Sequence, residues 1–273
     1  MTIRGNIRKL GVRLEQPVQY RLPIGDTHID MNALIGKHLS LSYTGEIHCI
    51  ECGRKTKKSF SQGYCYPCFS TLAQCDSCIV KPETCHYFAG TCREPAWADA
   101  HCMQDHYVYL ANSSGVKVGI TRGTQIPTRW IDQGATQALP IFRVANRLIS
   151  GRLEVVLKQR VADRTDWRKM LKGSADEVDL LAIRDELLDN LGADIEQVRT
   201  EQGETAVQAL QEQLIRIDYP VQTYPIKVSS LNFDKTPDIQ GQLQGIKGQY
   251  LILDCGVLNI RKFAGYQIAF QSD

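Results

Sequence analysis

Apolar and polar residues alternate with period two over His38-Leu39-Ser40-Leu41-Ser42-Tyr43, just before Gly45, which predicts a half-buried strand within a β-rich segment spanning residues 1–48. Aliphatic residues then thin out, and 49–106 has too few of them to build a core. From Tyr107 the alternation resumes as a hairpin: Tyr107-Val108-Tyr109-Leu110-Ala111, a turn at Asn112-Ser113-Ser114-Gly115, then Val116-Lys117-Val118-Gly119-Ile120-Thr121. The period then lengthens. Pro127 suits the first turn of a short helix running to Gln133 and closed by Gly134, and a longer helix is expected over roughly 150–161 with Leu153, Val156, Leu157 and Val161 on its apolar face.

Ser174-Ala175-Asp176-Glu177 reads as a capping box opening a further helix, with Leu180, Leu181, Leu187, Leu188 and Leu191 on its buried side. Beyond Pro220 the chain is glycine-punctuated and β-rich, at Pro225–Val228, Gly245–Leu253 and Tyr266–Phe270, and can complete a small barrel with residues 1–48. The expected class is α+β. It has five segments: β-rich 1–48, cysteine-rich 49–106, a central α/β unit 107–173, acidic helices 174–218 and a β-rich 219–273.

Composition narrows the class of protein. With 273 residues, 43% hydrophobic and 23% charged, the chain is neither disordered nor fibrous. The net charge of +2 hides an asymmetry: 174–213 holds eleven acidic residues against Arg184 and Arg199, so the remainder carries +11. A basic body with an acidic helical face suits a protein that handles polyanions and docks a protein partner, although solvated helix faces have the same composition. No run of about 18 apolar residues predicts a membrane span, and the N-terminus lacks the apolar core of a secretion signal.

Nine of ten cysteines fall between Cys49 and Cys102, with Cys255 alone outside. Such clustering fits metal ligation in a reducing, cytoplasmic compartment better than a disulfide framework. Cys49-x2-Cys52 and Cys65-x2-Cys68 form two knuckles, each bringing two thiolates from one tight turn to a shared tetrahedral ion, and Zn²⁺ is the expected occupant. Cys75, Cys78, Cys85, Cys92 and Cys102, with His86, His101 and His106 nearby, exceed the needs of a second ion. Either the Cys75-x2-Cys78 knuckle takes part, or Cys78, Cys85, Cys92 and Cys102 form the quartet and the spare thiol is a small buried hydrophobe. Two structural zinc sites are expected, with no coordination position open for catalysis.

Between the first knuckles, Arg54, Lys55, Lys57 and Lys58 interleave with Phe60, Tyr64, Tyr66 and Phe69, pairing phosphate-directed charge with rings on which bases can stack or which pack the small module.

The order of residues from Tyr107 to Lys172 resembles the GIY-YIG nuclease superfamily. Tyr107-Val108-Tyr109 stands where that family has its first motif, Lys117-Val118-Gly119-Ile120-Thr121 where it has its second, Arg129 in the helix of its catalytic arginine and Glu154 in the helix of its metal-binding glutamate. The resemblance implies a Mg²⁺-dependent phosphodiesterase acting on DNA or RNA. Glu154 then holds the ion, Arg129 clamps the phosphate, and Tyr109 or Tyr107, on the same strand face by period two, orients or activates the water. Two departures stand out: the first motif lacks its glycine, and Lys117 replaces the tyrosine of the second. Loss of turnover would leave a non-catalytic nucleic-acid-binding protein, and a zinc-stapled protein-interaction scaffold would bind no nucleic acid at all.

The whole chain also resembles a prokaryotic family of uncharacterised zinc-cysteine proteins, through Gly53-Arg54-Lys55-x-Lys57-Lys58-Ser59-Phe60-x-Gln62-Gly63-Tyr64-Cys65-Tyr66-Pro67-Cys68 and Ile126–Ala135.

If Lys57 and Lys58 contact phosphates, replacing both by glutamine should lower the slope of log affinity against log salt by about 0.9 per lost contact on duplex DNA. An unchanged slope in a titration of binding against salt would remove them from the interface.

Overall fold

The computed structural model describes residues 2–273. Along the chain lie β1 (Ile3–Asn6), β2 (Gly11–Arg13), β3 (Gln19–Ile24), β4 (Thr27–Asp30), β5 (His38–His48) and β6 (Lys55–Thr56). The cysteine-rich segment follows with α1 (Tyr66–Thr71) and α2 (Pro95–His101), joined by single turns of 3-10 helix such as Pro82–Thr84. The central unit comprises β7 (His106–Asn112), β8 (Val116–Arg122), α3 (Thr128–Asp132), β9 (Gln137–Val144), α4 (Arg147–Leu157), α5 (Trp167–Met170) and α6 (Leu180–Gln202). The remaining strands are β10 (Val207–Ala209), β11 (Ile215–Arg216), β12 (Asp238–Lys247), β13 (Tyr250–Leu253), β14 (Gly256–Asn259) and β15 (Tyr266–Ser272). The class is α+β.

The two ends of the chain share one antiparallel sheet. Its path runs β1-β15-β5-β12-β13-β14, with β6 also on β5, and a three-stranded sheet β2-β3-β4 lies beside it. The alternation read at His38–Tyr43 places Leu39 and Leu41 inward, opposite Ser272 and Phe270 of β15. Pairing of N- and C-terminal strands is thus as expected, although the path is open rather than a closed barrel. Pro225–Val228 forms no strand: Ile226 is almost fully exposed, and no edge pairs with that stretch.

The central sheet, ordered β10-β9-β7-β8 with β11 also on β9, is covered on both faces. Val108, Leu110, Val118, Leu139 and Ile141 pack against α4 and α6. Tyr109, Ala111 and Ala138, with Trp130, Ile131 and Ala135 on or beside α3, join the core of the terminal sheets. Burial on both faces explains why β7 is buried at nearly every position instead of alternating.

Helix boundaries differ from those expected for identifiable reasons. The Asn146 side chain accepts from the Ile149 amide, so α4 starts at Arg147. It ends at Leu157 rather than 161 because the chain must turn for Ala162 to bridge to Lys117 of β8 and accept from the Val118 amide. Likewise α6 starts at Leu180, capped by Asp179, which accepts from the Leu181 and Ala182 amides. The residues read as its capping box lie outside any helix instead: Asn112 Nδ2 donates to the Asp176 carbonyl, and the Gln137 side chain bonds both backbone groups of Val178. The buried stripe of α6 is Leu180, Arg184, Leu187, Leu191, Ile195 and Val198, which leaves Leu181 facing outward.

The cysteine-rich segment touches the central unit at one very close approach. A Cβ built on Gly151 in α4 would lie 2.6 Å from the Glu83 amide nitrogen and 2.7 Å from Pro82 Cβ. Gly151→Ala should therefore displace the Pro82–Thr84 turn and cost about 1–3 kcal/mol, read as a lowered thermal midpoint together with faster amide exchange over 79–85. Wild-type stability and exchange in this variant would contradict the packing.

Candidate metal centre and cleft

The first two knuckles converge. Cys49 directly follows β5 and is tied to the next turn by its amide, which donates to the Arg54 carbonyl, and by its carbonyl, which accepts from the Gly53 amide. Gly53 adopts φ +71°, a conformation that glycine adopts at little cost. Cys65 is the N-terminal cap residue of α1, and Cys68 lies one turn into it, with Pro67 between them. The four sulfurs all lie within 4.8 Å of one another, and Cys52 and Cys65 Sγ are 3.8 Å apart. Zn–S bonds of about 2.3 Å in a tetrahedron require sulfurs at about that separation, so the donor set fits one zinc ion. Burial opposes ionisation of the Cys49 thiol, but the backbone amides of Cys52, Cys65 and Glu51 outweigh it and bring it down to about 6, supplying a thiolate at neutral pH.

Of the second group, Cys78, Cys85, Cys92 and Cys102 line one small cavity together with Asp76 and His86. Cys75 is not among the lining residues; its electrostatic neighbours include Cys49, Glu51 and Arg93. His86, by contrast, lies with Asp76 and Cys78 within 4.8 Å. His101 stacks on Trp97 and bonds the Trp97 carbonyl, while buried His106 bonds the Gln104 carbonyl and is brought down to about 4 chiefly by desolvation. Neither lines the cysteine cavity.

A cleft of about 460 Å³ runs along β8. One wall is the central unit, with Lys117, Gly119, Arg129, Gln133, Arg147, Glu154 and Asp163. The opposite wall is the cysteine-rich segment, through Gln62, Tyr64, Ile79 and Pro82, and Arg261 enters from the C-terminal sheet. Tyr109 lies beneath its floor. It pairs with Gly119 across the hairpin, and a Cβ on Gly119 would meet the phenol oxygen at 2.6 Å, so the glycine of the second motif is what lets the ring cross. The phenol donates to Gln133 Oε1 at 3.1 Å, and Lys117 Nζ donates to the same oxygen at 2.6 Å.

Helix α3 is fixed from both ends of the chain, which positions Arg129 and Gln133. Its Asp132 carboxylate accepts from Lys9 Nζ at 3.0 Å and Gln249 Nε2 at 2.8 Å, with Arg261 at 4.0 Å. Trp130 beside Arg129 is buried edge-on against Tyr109.

Burial governs the ionisable groups of the cleft. Desolvation, reinforced by the Arg129 charge and opposed by Glu154 and Asp163, lowers Lys117 to about 8. Burial raises Tyr109 despite the adjoining Arg129 guanidinium, so it remains a neutral phenol. Glu154 is also raised by burial, against the pull of Lys158, whose Nζ is 3.7 Å away. A cation placed at Glu154 would offset that desolvation.

Among the residues singled out from sequence, Lys117, Arg129 and Glu154 share the cleft and Tyr109 underlies it. Tyr107 does not join them. It lines a separate hollow with Asp105, Arg122 and Gly123, so the two tyrosines, two positions apart, serve different surroundings. Arg54, Lys55, Lys57 and Lys58 are exposed and outside the cleft; Lys55 pairs with Glu46 at 2.6 Å, and Lys58 lies over the Phe60 ring. Phe60 stacks on Phe69 and meets Tyr66 edge-on, while Tyr64 faces the cleft. Gln133, Arg147, Arg261 and Gln62 are cleft residues that sequence reasoning did not single out. Only the first and last left a sequence signal, by lying inside the quoted family motifs. Among the described residues, no helix is long and apolar enough to cross a membrane.

No curated protein and no solved structure matches the chain. A family model does match it over residues 36–268, most of its length, taking in the cysteine knuckles and every cleft-lining residue named above, and the chain accordingly belongs to DUF2797, described as a protein of unknown function.

Proposed function

We propose that the protein is a zinc-binding nucleic-acid-processing enzyme whose cleft hydrolyses phosphodiesters. The observation that carries this reading is the cleft's charge: three guanidinium groups, Arg129, Arg147 and Arg261, and the Lys117 amine face Glu154 and Asp163 in one partly desolvated groove. Such an excess of fixed cations suits a polyanionic backbone, and paired guanidinium donors match phosphate oxygens. The GIY-YIG resemblance supports the same reading through the order of Tyr109, Lys117, Arg129 and Glu154.

The residues divide the chemistry between them. Arg129, held by the Asp132 network, clamps the scissile phosphate and stabilises the charge that develops on its oxygens. Tyr109, kept as a phenol, orients the Gln133 carbonyl and through it the Lys117 amine. Lys117 accepts the proton of the attacking water in its neutral form. The water oxygen bonds to phosphorus, the opposite P–O bond breaks, and the leaving oxygen takes its proton from solvent. Glu154 is the carboxylate for a magnesium ion, which when bound polarises the phosphate; one or two carboxylates with substrate oxygens and water suffice for that ion. The exposed Arg54–Lys58 cluster adds sequence-independent grip beyond the cleft.

Two outcomes are expected. In a Mg²⁺-dependent assay on DNA and RNA duplexes, branches and hairpins, wild-type protein cleaves and Glu154→Gln is slower by about 100-fold or more, with binding retained. Binding without wild-type cleavage would make the protein a non-catalytic nucleic-acid binder. Absence of both would leave the cysteine module as a protein-docking scaffold.

The second outcome concerns pH. Because Lys117 must lose its proton to act and its pKa is lowered to about 8, cleavage should rise as pH increases through about 8 and level off above it. Lys117→Met should lower the plateau by about 100- to 10,000-fold and remove that inflection. An unchanged profile in the variant would take Lys117 out of the proton transfer.

A further inference from the structure

We infer that the cleft takes an unpaired nucleotide, with its phosphate among the arginines, its base against the Tyr64 ring and the edge of that base read by Gln62. Placing the phosphate among the arginines rests on the reading proposed above; the base and its two partners are additional to it.

The two walls of the cleft differ in chemistry. On the side of the central unit lie Lys117, Arg129, Arg147, Glu154 and Asp163, which offer charge and no ring. The cysteine-rich side is uncharged throughout: Ser61, Gln62, Tyr64 and Gln74, followed by the apolar Ile79, Val80 and Pro82. Tyr64 is the one aromatic residue among those lining the cleft. The other rings of the module pack on each other, Phe60 on Phe69 and against Tyr66, and Tyr64 takes part in neither pair. A groove with fixed cations along one side and a ring with amides along the other matches a nucleotide, which is anionic at one end and flat, apolar-faced and hydrogen-bonding at the other.

The local backbone aims Gln62 at that groove. Residues 60–63 form a tight turn in which the Gly63 amide donates to the Phe60 carbonyl at 3.1 Å, and the Tyr64 amide donates to the same oxygen at 2.8 Å. Its two central residues are left-handed, Ser61 at φ +43° and Gln62 at φ +65°. Glycine and asparagine are the usual occupants of such positions, because a side chain there strains the backbone. Strain of this kind concentrates at ligand clamps, and here the strained residue is exposed and lines the cleft. Gly63 pins the turn from behind, since a Cβ on it would meet Ile50 Cγ2 at 2.6 Å. Gln74 is the other amide on this wall, but its Nε2 is committed to Glu51 Oε2 at 2.9 Å.

The nucleotide must be unpaired. An internal base of a duplex has both faces covered by stacked neighbours and its pairing edge taken by its partner, so it has neither a face for Tyr64 nor an edge for Gln62 until it leaves the stack. The cleft volume of about 460 Å³ also falls in the range, about 300–1,000 Å³, of pockets that enclose one small molecule. A single strand, a bulge or an extruded nucleotide meets both conditions.

The test uses the zinc-loaded full chain without added Mg²⁺, so that binding is read apart from cleavage. A fluorescent strand, as DNA and as RNA, is titrated alone and in a blunt duplex, and 2-aminopurine at one unpaired position reports stacking. The wild-type chain should bind the single strand more tightly than the duplex and quench the 2-aminopurine. Tyr64→Leu should lose about 5- to 150-fold in single-strand affinity, lose the quenching and leave duplex affinity unchanged, while Tyr64→Phe keeps the ring and both properties. Tyr64 precedes the ligand Cys65, so zinc per chain is counted in each variant. Gln62→Ala, at an exposed turn, supplies the second test: it should narrow the differences in affinity among homopolymers of the four bases and leave the salt slope as it is. Wild-type affinity and quenching in zinc-retaining Tyr64→Leu, or no quenching by the wild-type chain, would overturn the base site and leave the phosphodiesterase reading intact. Quenched, Tyr64-dependent binding with no cleavage once Mg²⁺ is added would sink that reading and leave the base site standing. Failure of the wild-type chain to bind either form would overturn both.

Discussion

Metal–thiolate bonding is the constraint on which the arrangement of this protein depends, because it stands where a hydrophobic core would otherwise be. From Cys49 to Cys102 the buried apolar side chains are Cys49, Cys65, Ala73, Pro82, Ala98 and Cys102, three of them cysteines and two of them alanines. Burial of so little apolar surface cannot offset the backbone entropy of ordering some fifty residues, at about 1–2 kcal/mol each. A closed four-sulfur site can, since binding free energy at a structural zinc is folding free energy, of order 10 kcal/mol. With an ion bound, the knuckles at Cys49–Cys52 and Cys65–Cys68 would anchor that wall at its base.

That wall matters because of what it faces. Gln62, Tyr64, Ile79 and Pro82 lie across from Lys117, Arg129 and Glu154, and the contact between the two sides passes through Gly151, where α4 comes too close to the Pro82–Thr84 turn for any side chain. The cleft is walled on one side by the segment that carries the four-cysteine site. Desolvation then sets the ionisation of the cleft: the same burial that lowers Lys117 raises Tyr109 and Glu154. The tyrosine is left as a neutral phenol, and the lysine is left with a pKa of about 8.

Much of the candidate site was legible in the linear order of residues. The β7–β8 hairpin follows from alternation and a Gly-containing turn, and α3 and α4 follow from it at the spacing that brings Arg129 and Glu154 toward β8. Gly119 was readable as a motif residue, but the reason for it is tertiary: the Tyr109 ring crosses it. Tyr107 shows the limit of period-two reasoning. It is two residues from Tyr109, yet it stands near the end of β7 beside Asp105 and Gly123, and the bulge between Val108 and Tyr109 in the pairing with β9 separates their surroundings. The start of α6 was misplaced because a local cap at Ser174 competes with long-range bonds from Asn112 and Gln137, which hold the chain out of a helix up to Asp179.

By itself the sequence determined the α+β class, the zinc knuckles, the central hairpin and the segregation of acidic residues, because each is set by neighbours within a few positions: a turn, a strand period, a helix face. Only the tertiary structure decided that the chain's two ends form one sheet, that Asp132 is held by Lys9, Gln249 and Arg261, and that Arg147, Arg261 and Gln62 reach the same cleft as Lys117. It also decided which later cysteines share a cavity. These are contacts between residues as far apart as Ile3 and Phe270, chosen by packing and by charge pairing under desolvation, and no local pattern encodes which distant partner will meet them.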